Sequence, residues 1–270
     1  MDYSTIALFS DLDGTLLNTQ RRISAENRDA LRFFMAQGGL FGISTGRAPT
    51  NALDLVDNLE TNSWSVVLNG AEAYHFPGRT VAFPKTLTRI RMAVFLQEVL
   101  EKLPEVMILV CSESRMFFLS DRERMNRDFL DTHQPARFVT MTEALAVPWL
   151  KIMFCAPKPI LRKLEQGAAR RGILEISTRA YTGPEYLELL PVGANKGVCL
   201  RNLRTMEVLR RRKFIAIGDW LNDLELLGEA DVAVAVDNAL PEVKYRADIV
   251  TRSNDEHALA HLIYDILPNL

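Results

Sequence analysis

Two aspartates with reactive potential, Asp11 and Asp13, follow directly after the apolar run 6–9. One such carboxylate could attack a phosphorus atom while the other transfers a proton. The two could also share a hard cation, which prefers oxygen ligands, and Gly14 permits a tight turn after them. Asp and Gly are equally common in ordinary turns, so the segment 11–15 alone leaves a plain strand-ending turn open.

A second polar segment, Ser44-Thr45-Gly46-Arg47, follows the apolar run 40–43. The Thr45 hydroxyl and the backbone amides around Gly46, placed before a helix start, could hold a phosphate. Turn formation and helix capping explain the same residues equally well. Arg47 could contact a second anionic or hydroxyl group of a substrate, or it could pair with a structural carboxylate.

A third polar segment, residues 218–223 (Gly-Asp-Trp-Leu-Asn-Asp), follows the apolar run 214–217. Asp219 and Asp223 would add carboxylates to an acidic cluster, and a divalent cation would relieve the repulsion within it. Asp223 could also begin a helix as its N-cap residue. Lys196 opens another predicted helix and could neutralise a phosphate, although a lone lysine is usually a solvated surface charge.

These segments are expected to meet because each follows a predicted strand. In an open parallel sheet, ligands bind beyond the carboxyl ends of the strands. The joint occurrence of the three loops and Lys196 therefore favours a phosphate-handling site over separate turns.

The elements that must position these loops alternate between strands and helices at both ends of the chain. Such alternation predicts a parallel sheet covered on both faces. The predicted strands are 6–9, 40–43, 65–68, 214–217, 232–236 and 249–250, and the predicted helices are 24–37, 49–59, 195–205, 223–227 and 256–267.

The middle of the chain has a different pattern, in which predicted strands occur in adjacent pairs. There the predicted helices are 88–102, 121–131 and 157–171, and the predicted strands are 106–111, 115–119, 150–155, 173–177 and 185–190. We therefore predict a Rossmann-like α/β core of residues 1–82 and 190–270, interrupted by an α+β cap of residues 83–189.

Composition sets outer limits on function. The length of 270 residues suits two domains, and 48% hydrophobic with 24% charged residues is typical of a globular protein. A net charge of −2 gives no general attraction to nucleic acid or to an anionic membrane. The three cysteines lack a CxxC pair, and the N-terminus does not resemble a signal peptide. We expect a cytoplasmic protein, a monomer or a homodimer, with buried free thiols and no membrane or nucleic-acid partner.

Taken together, the motifs resemble the haloacid dehalogenase-like (HAD) superfamily and more closely its Cof-type, subclass IIB sugar-phosphatase group. The motifs are DLDGTLL at 11–17, STGR at 44–47, LNGA at 68–71, NKG at 195–197 and GDWLND at 218–223. The resemblance implies a HAD-type core with a C2-type cap inserted between the second and third catalytic motifs. Residues 234–239 (VAVDNA) depart from the GxAMGNA often seen in relatives, but they flank the site.

The resemblance also implies a role for each residue. Asp11 attacks phosphorus and forms an aspartyl-phosphate, while Asp13 protonates the leaving alkoxide and then activates water. Arg47 is a tentative substrate contact. The implied phosphate ligands are Leu12, Thr45, Gly46, Lys196 and Asn222. The implied Mg²⁺ ligands are Asp11, the backbone carbonyl of Asp13, and Asp219, with Asp223 orienting the water shell of the ion.

The function expected from the resemblance is Mg²⁺-dependent hydrolysis of a small-metabolite phosphomonoester, such as a sugar phosphate. Asp13 favours phosphate esters over carbon–halogen bonds, because an alkoxide needs a proton on leaving and a halide does not. Two alternatives stay open: a phosphotransferase or phosphomutase of the same fold, and a non-catalytic regulatory protein that binds a metabolite phosphate.

Overall fold

A computed structural model describes residues 2–56, 61–113, 115–125, 127–132 and 136–270. The chain forms two compact units, Met1–Phe83 with Asn195–Leu270 (the first unit) and Pro84–Ala194 (the second unit). The sequence predicts boundaries between core and cap after residues 82 and 189, and the two units divide after residues 83 and 194. Residue 189 lies inside the strand Tyr186–Leu190, which is paired on both sides within the second unit.

A parallel sheet lies at the centre of the first unit, as predicted. Its described strands, in order across the sheet, are Ile249–Val250, Val232–Ala235, Lys213–Gly218, Ile6–Ser10 and Leu40–Ile43. Residues 7–9 and 214–217 of the two central strands are fully buried, as expected for strands covered on both faces.

The short strand Ser65–Val67 lies beside Leu40–Ile43. The Thr45 amide donates to the Val66 carbonyl at 2.8 Å, and Gly42 is required because a Cβ there would meet the Trp64 backbone. An antiparallel hairpin of Glu72–His75 and Thr80–Ala82 continues from it. The sequence did not predict this hairpin, because its strands are short, partly exposed and interrupted by polar residues.

The first unit also contains helices and tight helical turns. Ala25–Ala36 begins where predicted, with the Ser24 hydroxyl accepting from the Asn27 amide at 3.2 Å. The other described α-helices are Pro49–Val56, Lys196–Arg204, Leu224–Gly228, Pro241–Arg246 and Ala258–His261. The 3-10 turns are Leu68–Gly70, Leu221–Asp223, Asn254–Glu256 and Leu267–Asn269, and a π turn covers Leu262–Ile266.

Two helix predictions in the first unit need comment. Residues 57–59 of the predicted helix 49–59 lie outside the described residues. The single closing helix 256–267 is wrong: the segment is divided into 3-10, α and π portions. His257 separates the first two, because it adopts a left-handed backbone conformation with φ 62°.

The second unit is an α+β unit with a mostly antiparallel sheet, as predicted. Its described strands, in order, are Thr178–Gly183, Tyr186–Leu190, Lys151–Cys155, Met107–Ser112, Arg115–Phe118 and Arg137–Phe138, with the last pair parallel. The described helices are Arg89–Lys102, Arg127–Thr132, Met141–Ala144 and Lys158–Arg170, with a 3-10 turn at Arg122–Arg124.

Two predictions for the second unit are wrong. The helix 121–131 is replaced by the turn Arg122–Arg124 and the helix Arg127–Thr132, with Asn126 outside the described residues. Residues 173–177 form turns and not a strand: Gly172 is left-handed, and the Ile173 amide bonds back to the Ala168 carbonyl at 2.9 Å. The apolar residues there cap the preceding helix, and the strand starts at Thr178.

All three cysteines are free and buried. Within the described ranges, no helix has both the length and the apolar character that crossing a bilayer requires.

Candidate active site

The candidate active site is built at the carboxyl ends of neighbouring strands in the first unit. The strands ending at Ser10 and Gly218 are paired in parallel, so the loops that follow them start side by side. Carboxylate oxygens of Asp11, Asp219 and Asp223 all lie within 4.8 Å of one another. The sheet thus brings Asp11 beside two carboxylates that follow it by more than 200 residues in sequence.

Lys196 is buried among these carboxylates. Its Nζ donates to Asp11 Oδ1 and to Asp223 Oδ1, each at 2.6 Å. The lysine starts a helix that Asn195 caps, with the Asn195 side chain accepting from the Val198 amide at 2.7 Å. Gly197 allows this helix to approach the Glu225 backbone, where a Cβ would clash.

The buried acidic groups have unusual proton affinities. Burial raises the pKa of Asp11 well above its usual value, Asp223 and Asp219 add to the rise, and Lys196 opposes it. Burial and the charge of Asp223 together raise the pKa of Asp219 to about 7. For Lys196, burial acts to lower the pKa, but the charges of Asp11 and Asp223 outweigh it and raise the pKa. One ammonium group therefore does not balance the three carboxylates.

The residues present fit a divalent cation. Their donors are carboxylate oxygens, and the uncompensated negative charge is what a bound cation relieves. Asp223 already accepts from Lys196 at Oδ1 and from the amides of Asp219 and Trp220 at Oδ2. A carboxylate has about four lone-pair sites, so Asp11 and Asp219 have more capacity left for a cation than Asp223 has.

Asp219 is held against the first loop by two contacts. The Thr15 hydroxyl donates to Asp219 Oδ1 at 2.8 Å. Gly14 adopts φ 80°, and a Cβ on it would lie 2.5 Å from Asp219 Oδ2. A donation from the Asn238 side chain to the Gly14 carbonyl, at 2.7 Å, fixes the same turn. Glycine is therefore required at position 14 for both its conformation and its size.

Asp13 is not a member of this cluster and pairs with Arg47. The guanidinium donates from Nε to Asp13 Oδ2 at 2.8 Å and from Nη2 to Asp13 Oδ1 at 2.6 Å. The Asp13 side chain is 49% exposed. The sequence left Arg47 as either a substrate contact or the partner of a carboxylate. The structure shows the second arrangement, with Asp13 as the partner.

The other predicted phosphate ligands are Leu12, Thr45, Gly46 and Asn222, and they make contacts within and between the loops. Thr45 is buried, and its hydroxyl accepts from the Arg47 amide at 3.1 Å. Gly46 lies against the Asn69 side chain, and Asn222 Nδ2 donates to Asn69 Oδ1 at 3.0 Å. Leu12 is buried, and its carbonyl accepts from the Leu17 amide at 2.8 Å.

Sequence reasoning missed three residues that support the site: Thr15, Asn69 and Asn238. Thr15 and Asn69 lie within motifs that the sequence already singled out, and Asn69 follows a strand end. Asn238 lies in a segment predicted from the sequence to flank the site, and only the folded structure shows its contact with Gly14.

Comparisons with known proteins show which family the chain resembles. The family model of the haloacid dehalogenase-like hydrolases matches residues 8–263. Phosphatase YwpJ of Bacillus subtilis is 28% identical over 293 residues, covering 95% of this chain and 98% of that protein. The 5-amino-6-(5-phospho-D-ribitylamino)uracil phosphatase YcsE of the same organism is 28% identical over 265 residues, covering 97% and 95%. A crystal structure of a haloacid dehalogenase-like hydrolase from Bacteroides thetaiotaomicron superposes with a TM-score of 0.84 at 26% identity, covering 96% and 98%.

The chain therefore belongs to the haloacid dehalogenase-like hydrolase family, as its motifs predict. Within that family it is an enzyme of the phosphatase class, like the relatives that match it over nearly their whole length.

Proposed function

We propose that the chain is a Mg²⁺-dependent phosphatase that hydrolyses a small-metabolite phosphomonoester through an aspartyl-phosphate on Asp11. The observation that carries the proposal is the buried Asp11 carboxylate at a strand end, bonded to Lys196 and within 4.8 Å of Asp219 and Asp223. A carboxylate kept in place and shielded from water is suited to attack a bound phosphate.

In the first half of the proposed reaction, an Asp11 oxygen forms a bond to phosphorus as the ester oxygen leaves. Asp13 delivers a proton to that oxygen, so the product is a neutral alcohol. Arg47 contacts both Asp13 oxygens in the structure, so Asp13 gives up one of these hydrogen bonds when its carboxyl carries the proton. Arg47 also remains a proposed substrate contact.

In the second half, a water oxygen attacks the phosphorus of the aspartyl-phosphate and Asp13 accepts the water proton. The bond between Asp11 and phosphorus breaks, which releases inorganic phosphate and restores the carboxylate. The proposed phosphate-binding groups through both halves are Leu12, Thr45, Gly46, Lys196 and Asn222.

The acidic cluster supports a resident Mg²⁺ held by Asp11, the Asp13 carbonyl and Asp219, with Asp223 orienting its water. When bound, the ion would neutralise charge on the phosphate and on the carboxylate that attacks it. Lys196 alone supplies one positive charge against the three carboxylates, so a second source of positive charge is needed before a phosphate dianion can enter.

The proposed substrate class is a phosphorylated metabolite with an alcohol leaving group, such as a sugar or polyol phosphate. YcsE, which is named for a phosphoribityl compound, is a relative of similar length and supports this class. We assign the selection among such metabolites to the predicted cap, which corresponds to the second unit and carries none of the proposed catalytic residues.

The proposal is tested by measuring inorganic phosphate released from a panel of sugar and polyol phosphates, with Mg²⁺ and then with excess chelator. Asp11→Asn keeps the shape of the side chain but removes the nucleophile, so we expect turnover to fall by at least about 10⁴-fold. Release should need no acceptor sugar, which separates hydrolysis from phosphoryl transfer. Unchanged release by Asp11→Asn would refute the role of Asp11.

A further inference from the structure

The turn Leu68–Gly70 has an unusual backbone conformation beside the candidate active site. Leu68, Asn69 and Gly70 have φ values of 50°, 52° and 86°, all in the left-handed region. Such values are uncommon for residues other than glycine, and a bulky residue such as leucine is a genuine outlier there. Strain of this kind persists where the surrounding structure fixes it, and it is concentrated at functional sites.

Backbone contacts join this turn to two of the catalytic segments. The Leu68 amide donates to the Arg47 carbonyl at 3.0 Å, and the Asn69 amide donates to the Thr45 carbonyl at 3.1 Å. Gly70 lies against the Asn195 backbone so closely that no Cβ fits. The turn is therefore packed between the 44–47 loop and the start of the helix that carries Lys196.

The side chain of Asn69 joins the turn to a third catalytic segment. It is 1% exposed, and its Oδ1 accepts a hydrogen bond from Asn222 Nδ2 at 3.0 Å. On its other side the amide lies against Gly46, where an added Cβ would be 2.9 Å from Asn69 Nδ2. A side chain of this length thus spans the space between the 44–47 loop and Asn222.

We propose that Asn69 is a positioning residue that fixes which way the Asn222 amide faces. A carboxamide nitrogen has two N–H groups, and accepting one of them at Asn69 leaves the other free for a phosphate oxygen. Without that acceptor, the Asn222 amide can rotate and present its oxygen to the phosphate, which repels it. The inference rests on the proposed function, because it assumes that Asn222 binds the phosphate.

The backbone conformation alone also favours asparagine at position 69, since asparagine tolerates the left-handed region better than most residues. A test must therefore separate the side-chain contact from the backbone. Asn69→Gly does so, because glycine readily adopts the left-handed turn and lacks the side chain that contacts Asn222.

The experiment is a double-mutant cycle on kcat/KM with Asn69→Gly, Asn222→Ala and the double variant, using the best substrate of the metabolite panel. We expect Asn69→Gly and Asn222→Ala each to lower kcat/KM by about 10- to 100-fold, the range of a hydrogen bond to a charged group. Because Asn69 acts through Asn222, the double variant should be no slower than Asn222→Ala alone. Multiplying losses, or an unchanged kcat/KM for Asn69→Gly, would overturn the inference.

Asn69→Asp supplies a second variant if the glycine variant folds poorly. Aspartate tolerates the left-handed backbone and still accepts from Asn222 Nδ2, although its charge lowers activity overall. Asn222→Ala should then lower kcat/KM by the same factor in the Asn69→Asp background as in the wild type. In the Asn69→Gly background it should lower kcat/KM only slightly. Equal costs in all three backgrounds would exclude a positioning role.

The two proposals fail in different ways. If the wild type releases no phosphate, or if Asp11→Asn releases it unchanged, the proposed function is wrong. If Asp11→Asn is inactive but the losses at Asn69 and Asn222 multiply, only the role of Asn69 is wrong.

Discussion

Lys196 places a positive charge where water does not reach it, between two carboxylates that would otherwise repel each other. The second unit contains a comparable buried pair, in which Lys151 Nζ lies 2.8 Å from Glu188 Oε1 and both side chains are almost fully buried. Both lysines are buried in ion pairs, but Lys196 contacts two carboxylates, and one of them is the proposed nucleophile. They form a matched pair for separating stability from chemistry.

We predict that Lys196→Met and Lys151→Met both lower the free energy of unfolding, by about 3–5 kcal/mol, because each removes the buried positive charge from a buried ion pair. Urea unfolding measures this loss. Phosphate release at a temperature where both variants are folded should disappear only in Lys196→Met. Equal loss of activity in the two variants would mean that Lys196 acts through stability alone.

The raised pKa values of Asp11 and Asp219 predict how stability depends on pH without metal. Both carboxyl groups bind protons more tightly in the folded chain than in the unfolded chain. Their contribution to the free energy of unfolding is therefore fully present below about pH 4, and it is lost as pH rises toward about 7. The proposed Mg²⁺ would compete with the protons for the same carboxylates.

Melting curves test this competition. The increase in Tm caused by Mg²⁺ should be small at about pH 5 and larger at about pH 8, where proton loss leaves the carboxylates charged. Asp219→Asn removes one of the two groups and should reduce both the Mg²⁺ effect and its pH dependence. A Mg²⁺ effect of the same size at both pH values would contradict the proposed ligand set.

At the scale of elements, glycines and helix N-caps hold the segments that carry the proposed site residues. Gly14 is the clearest case, because its φ of 80° and its contact with Asp219 both exclude a side chain. Gly167, in the helix Lys158–Arg170, is the opposite case, since a Cβ there would meet nothing within 4 Å.

We predict that Gly14→Ala destabilises the chain by at least about 1–2 kcal/mol through its left-handed backbone, and that it displaces Asp219. Phosphate release and Mg²⁺ affinity should both fall. Gly167→Ala should stabilise by about 0.5–1 kcal/mol and leave both unchanged, because alanine favours the helix. Thermal unfolding and Mg²⁺ titration of the two variants check this, and normal Mg²⁺ affinity in Gly14→Ala would contradict it.

The elements that the sequence predicts well are those whose apolar pattern matches their burial. The central strands are apolar on both faces, and Ser24 with Gly38 limits the first helix, so their positions follow from local rules. Residues 173–177 show why other strand predictions fail. These apolar residues follow the end of a helix and not a strand, and the hydrogen bond from the Ile173 amide to the Ala168 carbonyl shows this only in the folded structure.

The candidate site follows the same division. The proximity of the charged residues could be predicted, because each follows a strand of the parallel sheet or starts a helix beside it. These residues are Asp11, Lys196, Asp219 and Asp223. The pairing of Arg47 with Asp13, and the contact of Asn69 with Asn222, could not be predicted. These contacts join loops that are distant in sequence, and the position of Asn69 depends on the left-handed turn Leu68–Gly70.

On the scale of the whole molecule, the described residues form two hydrophobic cores, one in each unit. One includes Phe9, Phe41 and Phe214 of the first unit, and the other includes Phe95, Trp149 and Phe154 of the second. The described members of the acidic cluster all belong to the first unit, whereas the Lys151–Glu188 pair belongs to the second.

This separation predicts where destabilising changes act. Hydrogen exchange should accelerate mainly within residues 2–83 and 195–270 in Lys196→Met, and mainly within residues 84–194 in Lys151→Met, because each core opens as a cooperative unit. Mass spectrometry of peptides locates the change. Acceleration spread evenly over both units in both variants would show that they open together.

The most direct test of the central claim, that Asp11 becomes phosphorylated, uses the variant Asp13→Asn with p-nitrophenyl phosphate. This leaving group needs no proton, so Asp11 can still be phosphorylated, but the hydrolysis of the intermediate lacks its base. Rapid mixing should show a burst of about one equivalent of nitrophenol followed by slow turnover, and the additional change Asp11→Asn should abolish the burst. Nitrophenol release that is linear from the first turnover, or a burst that survives Asp11→Asn, would contradict the account.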